Sequence, residues 1–220
     1  PRVRRQRQMC IRDRFLSIFI ITSEYIKPLF SNILIKKIAC MFILTYSLFG
    51  SSKLFERIQA ELDWGKASTL ALCKSYNETL PTYERLEKMF VSNPYFLYNY
   101  AAVLQEMKQY TESLEVALKC RQYWADYDLE LIIGENYQQL NKPELAEKYY
   151  NSASMMCPSR FLPLYKLFHL YKTNGEKERS LAMAEAVISK PMKIKTTTIR
   201  MMKREMEREI QKMNMSIKLE

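Results

Sequence analysis

The sequence predicts an all-α solenoid of about four helical hairpins, closed by a C-terminal capping helix and preceded by a short transmembrane helix. Three observations predict it. Ala67, Ala101, Gly134 and Phe168 stand 34, 33 and 34 residues apart, and each opens a similar local pattern. Near the C-terminus, Ile199, Met202, Met206, Ile210 and Met213 fall on one helical face with Lys, Arg and Glu elsewhere. Residues 33–50 are rich in Ile, Leu, Phe and Met.

The third copy of the pattern is the clearest. Gly134 and Tyr137 lie three apart on a first helix, where Gly admits close approach of the partner helix. Ala146, Tyr150 and Ala153 follow at helical spacing on a second helix, and Pro158 closes the unit. Between the two helices, Asn141 is read as an N-cap and Pro143 as a first-turn residue. The second copy repeats this with Ala101 and Leu104, then Ser113 and Ala117. The fourth has Phe168 and Tyr171, the turn Asn174-Gly175, then Ser180 and Ala184. The first is degenerate, with Ala67 and Leu70, then Thr79 and Tyr83; Pro81 is placed near the start of its second helix. A period near 34 with small and large residues alternating between paired helices is that of a tetratricopeptide (TPR) array. Such hairpins cannot bury their apolar faces alone, so they stack on one another.

The domain reading follows from these blocks. Residues 51–190 form the repeat array, and 191–220 the capping helix and tail, with Thr197 or Thr198 as its cap. Residues 15–50 are membrane material: 33–50 is a short spanning helix, and 15–23 the end of another. Lys27, Lys36 and Lys37 precede the span, and Lys53, Arg57 and Lys66 follow it, so the side of the membrane on which the repeats lie is undetermined. Residues 1–14, PRVRRQRQMCIRDR, hold six Arg and one Asp, hence +5 of the net +10. They resemble the translated read-through of a sequencing adapter and are set aside. The remaining +5 calls for no nucleic acid.

Composition excludes several chemistries. There is one histidine, His169, and the five cysteines show no Cys-x-x-Cys spacing, so no metal site is expected. With four glycines there is no phosphate-cradling loop and no Gly-x-Ser-x-Gly elbow. No catalytic residue and no cofactor are assigned to this chain. Binding is expected on the wall built by the first helices, from Tyr98, Ala102 and Gln105, then Leu131, Glu135 and Gln138, then Tyr165, His169 and Lys172. Tyr98, Leu131 and Tyr165 recur at 33 and 34 residues and are read as one row. A protein or peptide partner suits these aromatic, amide and charged groups, and a sugar chain suits them as well.

The connecting stretches carry a resemblance. Trp64-Gly65-Lys66-Ala67, NPYFLYNYAAVL, YWADYDLELIIGENYQQL, MMCPSRFLPLYKLFHLYKTNG and ISKPMKIKTTTIRMMKREM follow a membrane run in this order. The order resembles the C-terminal part of Bacteroides-type O-antigen ligase or polymerase proteins, over residues 33–213. The resemblance implies a bacterial inner-membrane location and a role in cell-surface polysaccharide assembly, with glycan-assembly proteins as partners. It implies a parent enzyme whose membrane domain transfers a glycan from a polyprenyl-diphosphate carrier. No position here matches that family's catalytic loop, so the fragment is expected to be non-catalytic. A stand-alone adaptor, membrane-anchored or soluble, remains the alternative.

Overall fold

The computed structural model describes residues 33–192 and 196–217. The adapter-like residues 1–14 and the apolar run 15–23 lie outside the described residues. Among those described there are nine helices and no strand: α1 (Ile33–Leu72), α2 (Tyr76–Leu86), α3 (Pro94–Glu106), α4 (Tyr110–Arg121), α5 (Tyr127–Gln139), α6 (Pro143–Met156), α7 (Leu162–Thr173), α8 (Lys177–Ser189) and α9 (Thr197–Ile217). The chain divides into two compact units between Gln59 and Ala60, within α1.

The described part of the first unit is α1 up to Gln59. Its apolar side chains are exposed: Phe42 is 72% exposed, Tyr46 80% and Leu48 71%. α1 is long and apolar enough to cross a membrane by length and composition.

The second unit is a stack of hairpins. α3 packs on α4, α5 on α6 and α7 on α8, and each hairpin packs on the next through α4–α5, α6–α7 and α8–α9. The end of α1 and α2 supply the first hairpin. The echo residues are its seams: Ala67 is 3% exposed, Ala101 and Phe168 are fully buried, Gly134 is buried, and Ala117, Ala153 and Ala184 on the second helices are fully buried. α9 closes the stack as its apolar stripe predicts. Met206 is fully buried, and Ile199, Met202, Ile210 and Met213 pack with it on Phe161, Phe168 and Val187.

One backbone device ends every first helix. Lys74, Lys108, Asn141 and Gly175 have φ of 63°, 61°, 54° and 76°. These four residues stand seven places after Ala67, Ala101, Gly134 and Phe168. At each, two reversed hydrogen bonds satisfy the last carbonyls; for α5 they run from Asn141 N to Gln138 O and from Lys142 N to Tyr137 O. This is the Schellman arrangement. The period is thus written in backbone geometry as well as in side-chain size.

It also corrects the reading of Asn141. Asn141 does not cap α6; it ends α5, because its left-handed backbone, which Asn tolerates, supplies the stop. Pro143 does open α6. Two further boundaries move. Thr196, not Thr197 or Thr198, caps α9, its hydroxyl accepting from Ile199 N at 3.3 Å. Pro81 lies inside α2 rather than near its start, because the turn at Lys74 lets that helix begin at Tyr76.

A lysine at φ 61° is held there at a cost that glycine avoids. Lys108→Gly is therefore expected to raise unfolding stability by ~0.5–1 kcal/mol. In urea titrations, Lys148→Gly in exposed mid-α6 supplies the opposite sign, a loss of about 1 kcal/mol.

Candidate interaction site on the first helices

Three sets of contacts align the first helices side by side. Gln105 on α3 donates from Nε2 to Ile132 O at 3.4 Å and to Asn136 Oδ1 at 3.3 Å, both on α5. Lys166 on α7 pairs with Glu135 on α5 at 2.8 Å. Tyr165 on α7 donates to Glu205 on α9 at 2.9 Å. The wall therefore runs α3, α5, α7, α9, with α9 in the place of a further first helix.

The predicted residues fall on this wall in different conditions. Tyr98 is half-buried, its ring edge-on to Trp124 at 5.8 Å. Burial raises its hydroxyl pKa, and the charges of Asp128 and Asp126 raise it further. Ala102 is half-buried beside it on α3. Gln138 accepts a hydrogen bond from the buried Tyr150 hydroxyl at 2.8 Å, so its amide is oriented by the second helix behind it.

Leu131 departs from the expected row. It is 6% exposed and packs with Tyr127, Leu167 and Leu170, so it supports the wall from within. Tyr165, His169 and Lys172 depart in another way, because α9 lies over them and supplies hydrogen-bond partners to Tyr165 and Lys172. The Tyr165 hydroxyl is pushed up to about 12, by burial first and then by the Glu205 carboxylate. His169 sits edge-on to Tyr165 at 4.4 Å, with Nε2 3.5 Å from Glu205 Oε1. Burial lowers the imidazole pKa, against the opposing pull of Glu205. Lys172 pairs with Glu209. The structure thus joins these three to α9, and leaves Tyr98, Ala102, Gln105, Glu135 and Gln138 on the wall of α3 and α5.

Sequence reasoning missed the polar core under this wall. Asn136 is fully buried, donates to Ser113 Oγ at 2.7 Å, and accepts from Gln105. Ser113 passes the hydrogen bond on to Ala101 O at 2.8 Å. One asparagine amide and one hydroxyl so tie α3, α4 and α5 together. The available signal was a lone Asn in the run Leu131–Tyr137. Trp124, just beyond α4, was also missed; it holds both Tyr95 (5.5 Å) and Tyr98. Among the described residues, no group of three or more His, Cys, Asp or Glu is placed to hold a metal ion.

With this geometry the chain resembles solved repeat structures. It superposes on the crystal structure of MamA with TM-score 0.54 at 14% identity, covering 59% of this chain and 72% of that one. The chain has the fold of a TPR array. TTC0263, a thermophilic TPR protein of Thermus thermophilus, gives TM-score 0.55 at 16% identity, over 69% of this chain and 82% of that one. YrrB, described as a TPR protein with an unusual peptide-binding site, gives 0.52 at 18% identity, over 58% of this chain and 66% of that one. At these identities the likeness is one of fold. No protein-family model matches the sequence, and no curated protein matches it.

Proposed function

We propose that the repeat array is a protein- or peptide-binding scaffold, tethered to a membrane through residues 15–50. The observation that carries this reading is the α3–α5 wall. Tyr98, Gln105 and Gln138 are half-buried and oriented from behind by Trp124, Asn136 and Tyr150. Side chains so fixed lose little further entropy when an extended chain docks on them. YrrB, with the same fold, is described as having a peptide-binding site, which accords with this use. The exposed apolar side chains of α1 before Leu54 are what a lipid-facing helix presents.

The finer reading is that this chain is the tail of an O-antigen ligase- or polymerase-like membrane protein, recruiting partners for cell-surface polysaccharide assembly. The order of connecting stretches from Trp64 to Met206 supports it. The catalytic part would precede Phe15, and an upstream reading frame running through further hydrophobic segments would carry it. A stop codon followed by a start just before Phe15 would sink that parentage.

A photo-crosslinking amino acid tests the scaffold. Placed at Tyr98 or Ala102 it is expected to yield partner adducts; placed at the exposed second-helix positions Glu115 or Lys148 it is expected to yield few. Equal labelling from both faces would remove the wall as the binding surface. Alkaline extraction of membranes tests the tether, which fails if the chain is released.

A further inference from the structure

One end of the α3–α5 wall gathers aromatic rings and uncompensated negative charge. Trp124, in the connection between α4 and α5, lies 5.5 Å from Tyr95 at 45° and 5.8 Å from Tyr98 at 77°. The three rings hold one another at fixed angles and still reach solvent: Tyr95 is 63% exposed, and Tyr98 and Trp124 are half-buried. Ring faces of this kind attract cations, tryptophan most strongly.

Two carboxylates stand beside the rings. Asp126 caps α5, accepting from Asp128 N at 2.9 Å, and Asp128 follows in the first turn. The other acids of α5 are taken up, Glu130 by Arg121 and Glu135 by Lys166. Among the described residues, no cation lies within ion-pair distance of Asp126 or Asp128. Arg160, whose guanidinium lies over the Tyr127 ring at 5.8 Å, acts on Asp128 only from farther off. Burial raises the Asp128 carboxyl pKa, Asp126 raises it further, and Arg160 opposes them. The positive end of the α5 dipole, roughly half a charge, offsets only part of two carboxylates. The Tyr98 hydroxyl feels both as charges, yet no hydrogen bond joins it to either. The corner thus offers ring faces and acceptor oxygens with no cation of this chain set between them.

Charge complementarity decides the ligand. A guanidinium is flat and always charged, with N–H donors along its edge, so one group can stack on a ring and donate to carboxylates beside it. An anionic or apolar side chain would cover the two carboxylates without pairing them. We propose that this corner is the anchor for an arginine side chain of the docked peptide, stacked on Trp124 and Tyr95 and hydrogen-bonded to Asp126 and Asp128. This anchor rests on the α3–α5 wall being the docking surface, and it makes the partner a basic one.

The test uses the full chain in detergent micelles, with isotopically labelled tryptophan indoles followed by NMR. The probe is acetyl-Gly-Ser-Arg-Ser-Gly-amide; a control peptide carries citrulline, which keeps the shape and loses the charge. The Trp124 indole signal, assigned by its loss in Trp124→Phe, is expected to shift with the arginine peptide and to need at least about tenfold more of the citrulline peptide. The indole of Trp64, packed against the repeat core, should stay still. Asp126→Asn with Asp128→Asn should weaken binding of the arginine peptide about fivefold. Asparagine caps a helix as well as aspartate, so the fold is kept, and circular dichroism checks it. The anchor is overturned by a Trp124 signal that ignores millimolar arginine peptide, by equal binding of citrulline, or by an Asn pair that loses nothing. Equal binding of citrulline would point to a neutral occupant, such as a sugar chain. Crosslinking from Ala102 in the Asn pair separates the anchor from the scaffold. Partner adducts that persist undiminished leave the wall standing and remove the arginine anchor. Absence of adducts even with both aspartates in place removes the wall, and the titration still decides the ligand of this corner.

Discussion

Phe96→Ala is expected to cost about 3–5 kcal/mol and to undo the first hairpin's attachment. Phe96 is fully buried and is the hub of an aromatic cluster drawn from three helices and the connection between α2 and α3. Its ring lies 5.1 Å from Phe90, 5.4 Å from Tyr83, 5.7 Å from Trp64 and 6.1 Å from Tyr100. Truncation removes the transfer energy of the ring and opens a cavity that four rigid rings cannot close by small shifts. Each aromatic pair adds roughly 0.5–1.5 kcal/mol beyond its buried area. A domain of this size has about 5–15 kcal/mol in total, so roughly a fifth or more of it is at stake. In a solenoid each hairpin contacts only its neighbours, so the damage is local. Hydrogen exchange should show amides of α2 and α3 losing protection while those of α7, α8 and α9 keep theirs. Uniform loss along the whole array would mean that the repeats unfold as one cooperative block.

Gly134→Ala is expected to destabilise by about 1–3 kcal/mol, although alanine favours helix over glycine by about 1 kcal/mol. A Cβ at Gly134 would stand 2.7 Å from both Cδ1 and Cε1 of Tyr150. That ring is fully buried and its hydroxyl is tied to Gln138, so it cannot swing aside. Overpacking therefore exceeds the gain in propensity. The cause is checked by a double-mutant cycle. In a Tyr150→Ala background the clash is gone, and Gly134→Ala should become neutral or stabilising. If it destabilises equally in both backgrounds, the close approach of α5 and α6 is not what requires glycine. The same position bears on binding, because pushing Tyr150 away from α5 releases the Gln138 amide on the wall.

Much of the fold was legible because packing between paired helices demands small residues at fixed intervals. Ala67, Ala101 and Gly134 mark that demand, Phe168 takes the same place in the fourth copy, and all four are buried. The cap was legible for a similar reason: five apolar residues at helical spacing have only one face to bury. Boundaries were less so. Asn141 suits either the end of one helix or the start of the next, and only the backbone at φ 54° shows which job it does. Lys74 and Lys108 give no sequence sign of a left-handed turn, since lysine has no preference for one.

The site was legible only in part. Helical spacing names the side chains that share a face, but not what the neighbouring helix places opposite them. Tyr165, His169 and Lys172 share the face expected of them; Glu205 and Glu209, more than thirty residues later, take them up. Leu131 shares that face too, yet Tyr127 and Leu167 cover it. Asn136 and Ser113 look unrelated along the chain and meet in the core at 2.7 Å.

By itself, then, the sequence determined the hairpin period, the small residues that set it, the apolar run and the closing stripe. Each follows from periodicity along a single helix. Only the tertiary structure decided which predicted wall residues remain on the wall, which are buried and which are bound by α9. Those outcomes depend on the rotation and spacing of helices far apart in the chain, and no local pattern encodes them.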